Sequence, residues 1–309
     1  MLMRKCERPM CQLAYVHFAT PQLAQMRAFY ETQMGLGLFA TPSLAASQYE
    51  NIFLRGPQGL IELSAGPVAT LREVGFEVFS QRWDEASERL RDMGALPVDA
   101  HAVFAKAFSL TDPEGNPLVF GCEPRFALST TLSTTLSAAM PRAKLNDPVD
   151  LQVASFPPPA RLQHVGLGAR ALADMINFYQ RRLGLALSDD VSADDGTLRS
   201  SFLRGNEEHH LLALFGNGKA GFDHMSFEAP DWNGIRDWAD HFAKFGTRIF
   251  WGAGRHGVGN NLFIFVLDPD EHMVEISAEL ERVPWGKLAG HWAFDYKAFN
   301  MWGPAALRV

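Results

Sequence analysis

Two histidines and one glutamate, His164, His224 and Glu275, form the set with the most chemical content in this chain. Each stands in a short apolar run: Gln163-His164-Val165-Gly166, Asp223-His224-Met225-Ser226 and Met273-Val274-Glu275-Ile276. Such runs read as strands, so each side chain can point inward among hydrophobic neighbours. A buried carboxylate is costly unless it is paired or bound to metal. Two neutral imidazoles and one carboxylate suit a divalent first-row metal. They leave coordination positions open, the pattern of the non-haem iron(II) facial triad. A lone strand histidine is commonly a hydrogen-bonded core residue, so the reading depends on the three occurring together.

An internal repeat strengthens it. Phe53-Leu54-Arg55-Gly56 recurs as Phe202-Leu203-Arg204-Gly205, Phe29-Tyr30 as Phe178-Tyr179, and Gly35-Leu36 as Gly184-Leu185, all at one offset of 149 positions (202 less 53). Asp112-Pro113 recurs as Asp268-Pro269 after a small insertion. Across the copies, Tyr15 aligns with His164, Val119 with Glu275, and Val74 with His224, or Glu73 if Phe76-Glu77 and Phe227-Glu228 set the register. The scaffold is shared and the candidate ligands are not, which places the metal on the second half alone.

Two further features sit near the triad in sequence. His209-His210 follows Gly205-Asn206-Glu207-Glu208 where a strand is expected, so one imidazole should face inward and the other outward. An inward histidine can move protons near neutral pH. His256 lies in Gly254-Arg255-His256-Gly257, read as a glycine-rich loop before a strand. His17, His101, His241, His272 and His291 show no partner pattern and read as structural or exposed.

The elements that must position these residues can be read by periodicity. Each half reads as two strand–helix–strand–strand–strand units. In the first half, Leu13 to Phe18 is a strand and Pro21 to Met34 a helix stopped by Gly35. Strands follow near 48–54 and 59–64, then a second unit from Val74, its helix Trp83 to Met93 and strands 103–110 and 117–121. The second half repeats this with strands at 162–167, 198–204, 209–215, 224–228, 261–267 and 272–277, and helices at 171–182 and 232–245. The class is α+β, with four βαβββ modules in pairs. The expected division is 1–124, a Ser/Thr/Ala/Pro-rich linker at 125–159, a catalytic unit at 160–279, and an aromatic-rich tail at 280–309 that packs on that unit.

Bulk properties narrow the class. The chain has 309 residues, 47% hydrophobic and 20% charged, with a formal net charge of −7. That balance argues against a nucleic-acid partner, which favours a basic face. Three cysteines without paired spacing suggest thiols in a reducing compartment. No apolar run of signal-peptide or membrane-spanning length is present, so a cytoplasmic location and no membrane partner are expected.

At this point the chain resembles the type I extradiol ring-cleavage dioxygenases of the vicinal oxygen chelate (glyoxalase/bleomycin-resistance-like) superfamily. It is similar to catechol 2,3-dioxygenase and biphenyl-2,3-diol 1,2-dioxygenase. The likeness is carried by Leu162-Gln163-His164-Val165-Gly166-Leu167, Asn206-Glu207-Glu208-His209-His210, Phe222-Asp223-His224, Gly254-Arg255-His256-Gly257 and Asp268-Pro269-Asp270 leading to Glu275, with Trp302-Gly303-Pro304 near the end. It covers nearly the whole chain, the degenerate first half being a family trait. The modules would then pair into two vicinal-oxygen-chelate domains, the first metal-free.

The resemblance implies that His164, His224 and Glu275 hold Fe(II), with Mn(II) as the alternative, and that O2 is co-substrate. It implies that His210 is the acid–base histidine and that His256 contacts a substrate hydroxyl, with His209 and Phe265 also at the substrate. Phe265 departs from the family, which has tyrosine at that position. The implied reaction is insertion of both atoms of O2 into a catechol-type diol, with ring cleavage beside the two hydroxyls. A non-oxidative metalloenzyme of the same superfamily, a lyase, isomerase or hydrolase, is the alternative. The expected partners are a small aromatic diol and other copies of the chain.

Overall fold

The computed structural model describes residues 10–39, 51–56, 58–125 and 161–304. The expected linker, apart from Arg125, lies outside the described residues.

The first half is one sheet. β1 (Cys11–Thr20) leads to α1 (Leu23–Ala28), which widens into a π-helical turn at Phe29–Gln33. β2 (Gly37–Phe39), β3 (Ile52–Arg55) and β4 (Leu60–Ala65) complete the first unit. β5 (Thr70–Val78), α2 (Trp83–Asp92), β6 (Leu96–Pro97), β7 (Phe104–Thr111) and β8 (Pro117–Pro124) form the second. The strand order is β2-β3-β4-β1-β5-β8-β7-β6, so the two units meet along the antiparallel pair β1–β5.

The second half repeats the plan. β9 (Leu162–Gly168), α3 (Leu172–Ile176) with its π-helical turn Asn177–Arg182, β10 (Ala186–Ser192), β11 (Leu198–Arg204) and β12 (Leu212–Phe215) make one unit. β13 (Gly221–Glu228), α4 (Trp232–Lys244), β14 (Trp251–Arg255), β15 (Leu262–Leu267) and β16 (Met273–Ala278) make the other. Two tail elements follow, β17 (Gly290–Ala293) and α5 (Tyr296–Phe299). β17 pairs in parallel with β10 and extends the sheet to nine strands. Among the described residues no helix is long and apolar enough to cross a membrane.

Strand alternation sorts the side chains onto two faces. On one face Val165 and Leu167 of β9, Met225 and Phe227 of β13, and Val274 and Ile276 of β16 enter a single core that also takes Val16, Phe18, Val74, Phe76, Leu118 and Phe120 from the first half. The other face of each sheet carries a smaller cluster: Tyr15, Phe104 and Val119 in the first half, and Val191, Phe202, Phe215 and Phe299 in the second. His164, Glu275 and His224 alternate with the core residues and therefore fall on that second face.

Three expectations differ from the fold. The strand expected from His209 begins only at Leu212, because the His209 N–H donates to Glu281 O of the tail segment. Gly254 and Arg255, read as loop, belong to β14, and the turn starts at His256, whose N–H donates to Asn261 O. β10 has no strand pattern in the sequence, because Ala186-Leu187-Ser188-Asp189-Asp190-Val191-Ser192 is too polar to read as one. Its pairing with β11 on one side and β17 on the other makes it one.

Candidate metal centre and pocket

The ligand candidates come from three neighbouring strands. Ser226 on β13 pairs with His164 on β9 and with Glu275 on β16, and His224 lies two residues before Ser226, on the same face. Ser226 is small enough to leave the centre of this row open. His224 pairs across β9 with Gly166, where any side chain would collide with the His224 ring. The glycine after His164-Val165 therefore makes room for the second imidazole.

The three residues are all buried, and one donor atom from each lies within 4.8 Å of the others. His164 Nε2 is 2.9 Å and His224 Nε2 is 3.8 Å from Glu275 Oε2. Among the described residues Oε2 nevertheless has no aligned hydrogen-bond donor, while Oε1 accepts from Asn261 Nδ2 at 3.1 Å and lies 3.4 Å from His256 Nε2. An unmatched carboxylate oxygen beside two imidazole nitrogens is the donor set a divalent cation needs, and burying it otherwise is costly. His224 Nδ1 lies 2.7 Å from Asp223 Oδ1, and this carboxylate fixes the tautomer that leaves Nε2 free for a metal. Burial would raise the Glu275 carboxyl, but the imidazoles of His164 and His256 outweigh it and hold the acid well below its ordinary range. Burial likewise keeps His164 neutral by lowering its pKa. The residues present fit a divalent metal.

The triad opens onto a narrow pocket, about 360 Å³ when the space open to solvent is included. Its walls are Phe202, Phe215, Val258, Phe265, Ala298 and Phe299, and its polar groups besides the triad are His210 and His256. His210 stands beside His164 with ring centres 4.3 Å apart. Burial first, then the surrounding imidazoles, push its pKa well below the ordinary value, so His210 is a neutral base. His256 stacks on Phe263 at 3.9 Å and 8°, and its Nδ1 bonds to Phe299 O. That leaves Nε2 toward the pocket. Phe265 pairs with Glu275 across β15–β16 and packs edge-on to His224. His209, expected at the substrate, lies behind His210 and off the pocket wall.

The first half shows what occupies the equivalent position. His17 pairs with Glu73 as Gly166 pairs with His224, so Glu73, and not Val74, is the counterpart of His224. Val74 faces the shared core. The Tyr15 ring fills the space beside Gly75, its phenol bonds to Glu73, and it lies 3.0 Å from His101 Nε2. His101, which shows no partner pattern in the sequence, thus belongs to a partly buried polar group with Tyr15 and Glu73. Asn261, Asp223 and Asp189 are site residues that the sequence did not single out. Only Asp223, adjacent to His224, left a signal that could have marked it.

Residues 161–276 match the model of the Glyoxalase/Bleomycin resistance protein/Dioxygenase superfamily. The chain is 33% identical to metapyrocatechase 2 of Cupriavidus necator over 195 residues, which span 62% of this chain and 59% of that protein. Among solved structures it is similar to the anaerobic substrate complex of homoprotocatechuate 2,3-dioxygenase from Brevibacterium fuscum with 3,4-dihydroxyphenylacetate (TM-score 0.76, 22% identity, 99% of this chain and 93% of that one). It is also similar to the Mn(II)-bound glyoxalase of Novosphingobium aromaticivorans (TM-score 0.73, 19% identity, 96% and 92%). These structures share the fold over nearly the whole chain.

Proposed function

We propose that this chain, whose residues 161–276 match the model of the Glyoxalase/Bleomycin resistance protein/Dioxygenase superfamily, is an extradiol dioxygenase that cleaves a catechol-type ring beside its two hydroxyls. The observation that carries this reading is the position of a buried neutral His210 next to a two-histidine, one-carboxylate triad at the floor of an aromatic-walled pocket. His164, His224 and Glu275 would hold Fe(II), or Mn(II) as the alternative. When bound, the ion would supply Lewis acidity toward a diol and redox chemistry with O2 as the second reactant.

The chain's own residues do the rest. Phe202, Phe215, Val258 and Phe299 form an apolar wall that suits a flat ring and excludes water. His210 can take a diol proton at Nε2, since its Nδ1 faces His209, and return it as the ring opens. His256, its Nδ1–H given to Phe299 O, offers its Nε2 lone pair to a substrate hydroxyl. Holding both reactants in this small space removes the entropic cost of their encounter. The product expected is a ring-opened semialdehyde acid.

Phe265 favours a second reading. With no phenol at that position, the pocket lacks one donor to a substrate oxygen, and a non-oxidative reaction at the same metal would need less of it. Reconstitution with Fe(II) without air, followed by a catechol panel under air, separates the two. Dioxygen uptake with a yellow ring-fission product is expected. Substrate conversion without dioxygen uptake would replace the dioxygenase with the non-oxidative enzyme, and no conversion by metal-loaded protein would overturn both.

A further inference from the structure

The pocket histidine His210 is the end of a chain of three side chains. His210 Nδ1 lies 2.9 Å from His209 Nδ1, with the two rings perpendicular. His209 is fully buried, and its Nε2 lies 3.1 Å from Asp189 Oδ2. This last approach is off the N–H axis, and among the described residues Nε2 has no other partner. Asp189 is itself fixed by the tail: Gly290 N–H donates to Oδ1 at 3.0 Å and Trp292 Nε1–H donates to Oδ2 at 2.8 Å, both from β17. A side chain at Gly290 would collide with Asp189 Oδ1, so this glycine lets the strand close onto the carboxylate.

Proton counting along this chain gives one arrangement. A carboxylate only accepts, so it favours the His209 tautomer with the proton on Nε2. His209 Nδ1 is then an acceptor, and the facing His210 Nδ1 must carry a proton. A neutral His210 with its proton on Nδ1 has its lone pair on Nε2, toward the pocket. We infer that Asp189 and His209 are positioning residues that set His210 as a proton acceptor at Nε2, and that the C-terminal strand β17 is part of this device through Gly290 and Trp292. A His210 cation formed at Nε2 would share its charge through Nδ1–H with His209 and then Asp189. The carboxylate is suited to this: burial would raise it, but His209, Trp292 and Gly290 hold it below its ordinary range. The part His210 plays in turnover rests on the dioxygenase reading, whereas the tautomer does not.

The test therefore has a readout apart from activity. Nitrogen-15 NMR of histidine-labelled wild-type protein, with His210→Gln and His209→Gln spectra for assignment, reports which ring nitrogen carries the proton. His209 protonated on Nε2 and His210 on Nδ1 are expected. His210 protonated on Nε2 in wild type overturns the inference whatever the enzyme's reaction. In Asp189→Asn, kcat for a catechol should fall about 10²-fold, with KM and bound metal within twofold of wild type. A loss of metal or a rise in KM with kcat unchanged would make Asp189 a structural support only and sink the proposal. Because Asp189 also holds β17, His209→Gly is the second variant. Added imidazole should restore at least tenfold of its lost kcat, and absence of rescue in a folded, metal-bound variant counts against the chain. If wild type consumes no dioxygen, the dioxygenase reading fails while the spectrum still decides the tautomer.

Discussion

Tyr30 of the first half donates its phenol to Asp268 of the second at 2.9 Å. Tyr179 of the second half returns the contact to Asp112 of the first at 3.0 Å. The two tyrosines are the repeated Phe-Tyr, and the two acids are the repeated Asp-Pro. Each repeat thus locks the helix of one half onto a turn of the other. All four residues are buried, and each aspartate also caps its own turn through backbone N–H groups of the turn.

Tyr30→Phe and Tyr179→Phe should each lower stability by about 1.5–3 kcal/mol, the range for a lost hydrogen bond to a charged group. The pairs share no residue, so the double variant should lose about the sum. Urea denaturation measures this, and midpoints equal to wild type would show that the bonds contribute nothing.

Glu275→Gln should weaken metal binding at least tenfold, because the amide keeps the shape and loses the charge that faces the two imidazoles. Metal analysis after reconstitution and desalting should find one ion per wild-type chain and little in the variant. Two ions per chain, one of them in residues 12 to 122, would contradict the filling of the equivalent position by Tyr15. Full occupancy in the variant would remove Glu275 from the ligand set.

His256→Ala should raise KM for a catechol markedly: with its Nδ1–H given to Phe299 O, the neutral ring presents Nε2 as acceptor for a substrate hydroxyl, and Phe265 offers that hydroxyl no polar partner. Phe265→Tyr should partly restore the His256→Ala variant. A double-mutant cycle should give a coupling of about 0.5–3 kcal/mol, and strict additivity would show that the two positions do not share a substrate oxygen.

Glu62 gives a pH-dependent stability. Its carboxyl accepts from Asn51 at 2.6 Å, yet burial and nearby Glu73 push its pKa up to about 8 from 4.5. Burial lowers nearby His17 from 6.5 to about 4. The Glu62 contribution is complete below pH 4.5 and is lost as pH rises toward 8. The His17 contribution is present above pH 6.5 and is lost as pH falls toward 4. Between pH 6.5 and 8, Glu62 is the one of the pair that changes, so stability should fall with a slope of at most about 1.4 kcal/mol per pH unit. Glu62→Gln should flatten the melting temperature across that window, and an unchanged slope would assign the effect elsewhere.

The triad was legible because His164, His224 and Glu275 stand in apolar runs at positions where the repeat's other copy has Tyr15, Glu73 and Val119, with no imidazole among them. Patterns of that kind survive in one dimension. The facing of Glu73 over Val74 was not fixed by sequence, since a one-residue shift of register exchanges the two faces of a strand. Asp189 was not legible at all. It lies in a polar stretch, and its partners Gly290 and Trp292 are a hundred residues away, brought to it by a strand the sequence did not mark. The position of His209 is likewise hidden, since its apolar neighbours Leu211 and Leu212 read as a continuing strand while its own backbone is held by the tail.

The single core that runs through both halves has a thermodynamic corollary. Val16, Val74 and Phe120 bury against the same cluster as Val165, Met225 and Ile276. Opening either half would expose apolar surface of the other, so the two should unfold in one cooperative step. By linkage, an ion that binds only the native second half stabilises the whole unit, by about 2.7 kcal/mol at a hundred times its Kd. Residues in the metal-free half, far from any ligand, would then share in the protection that loading the other half confers.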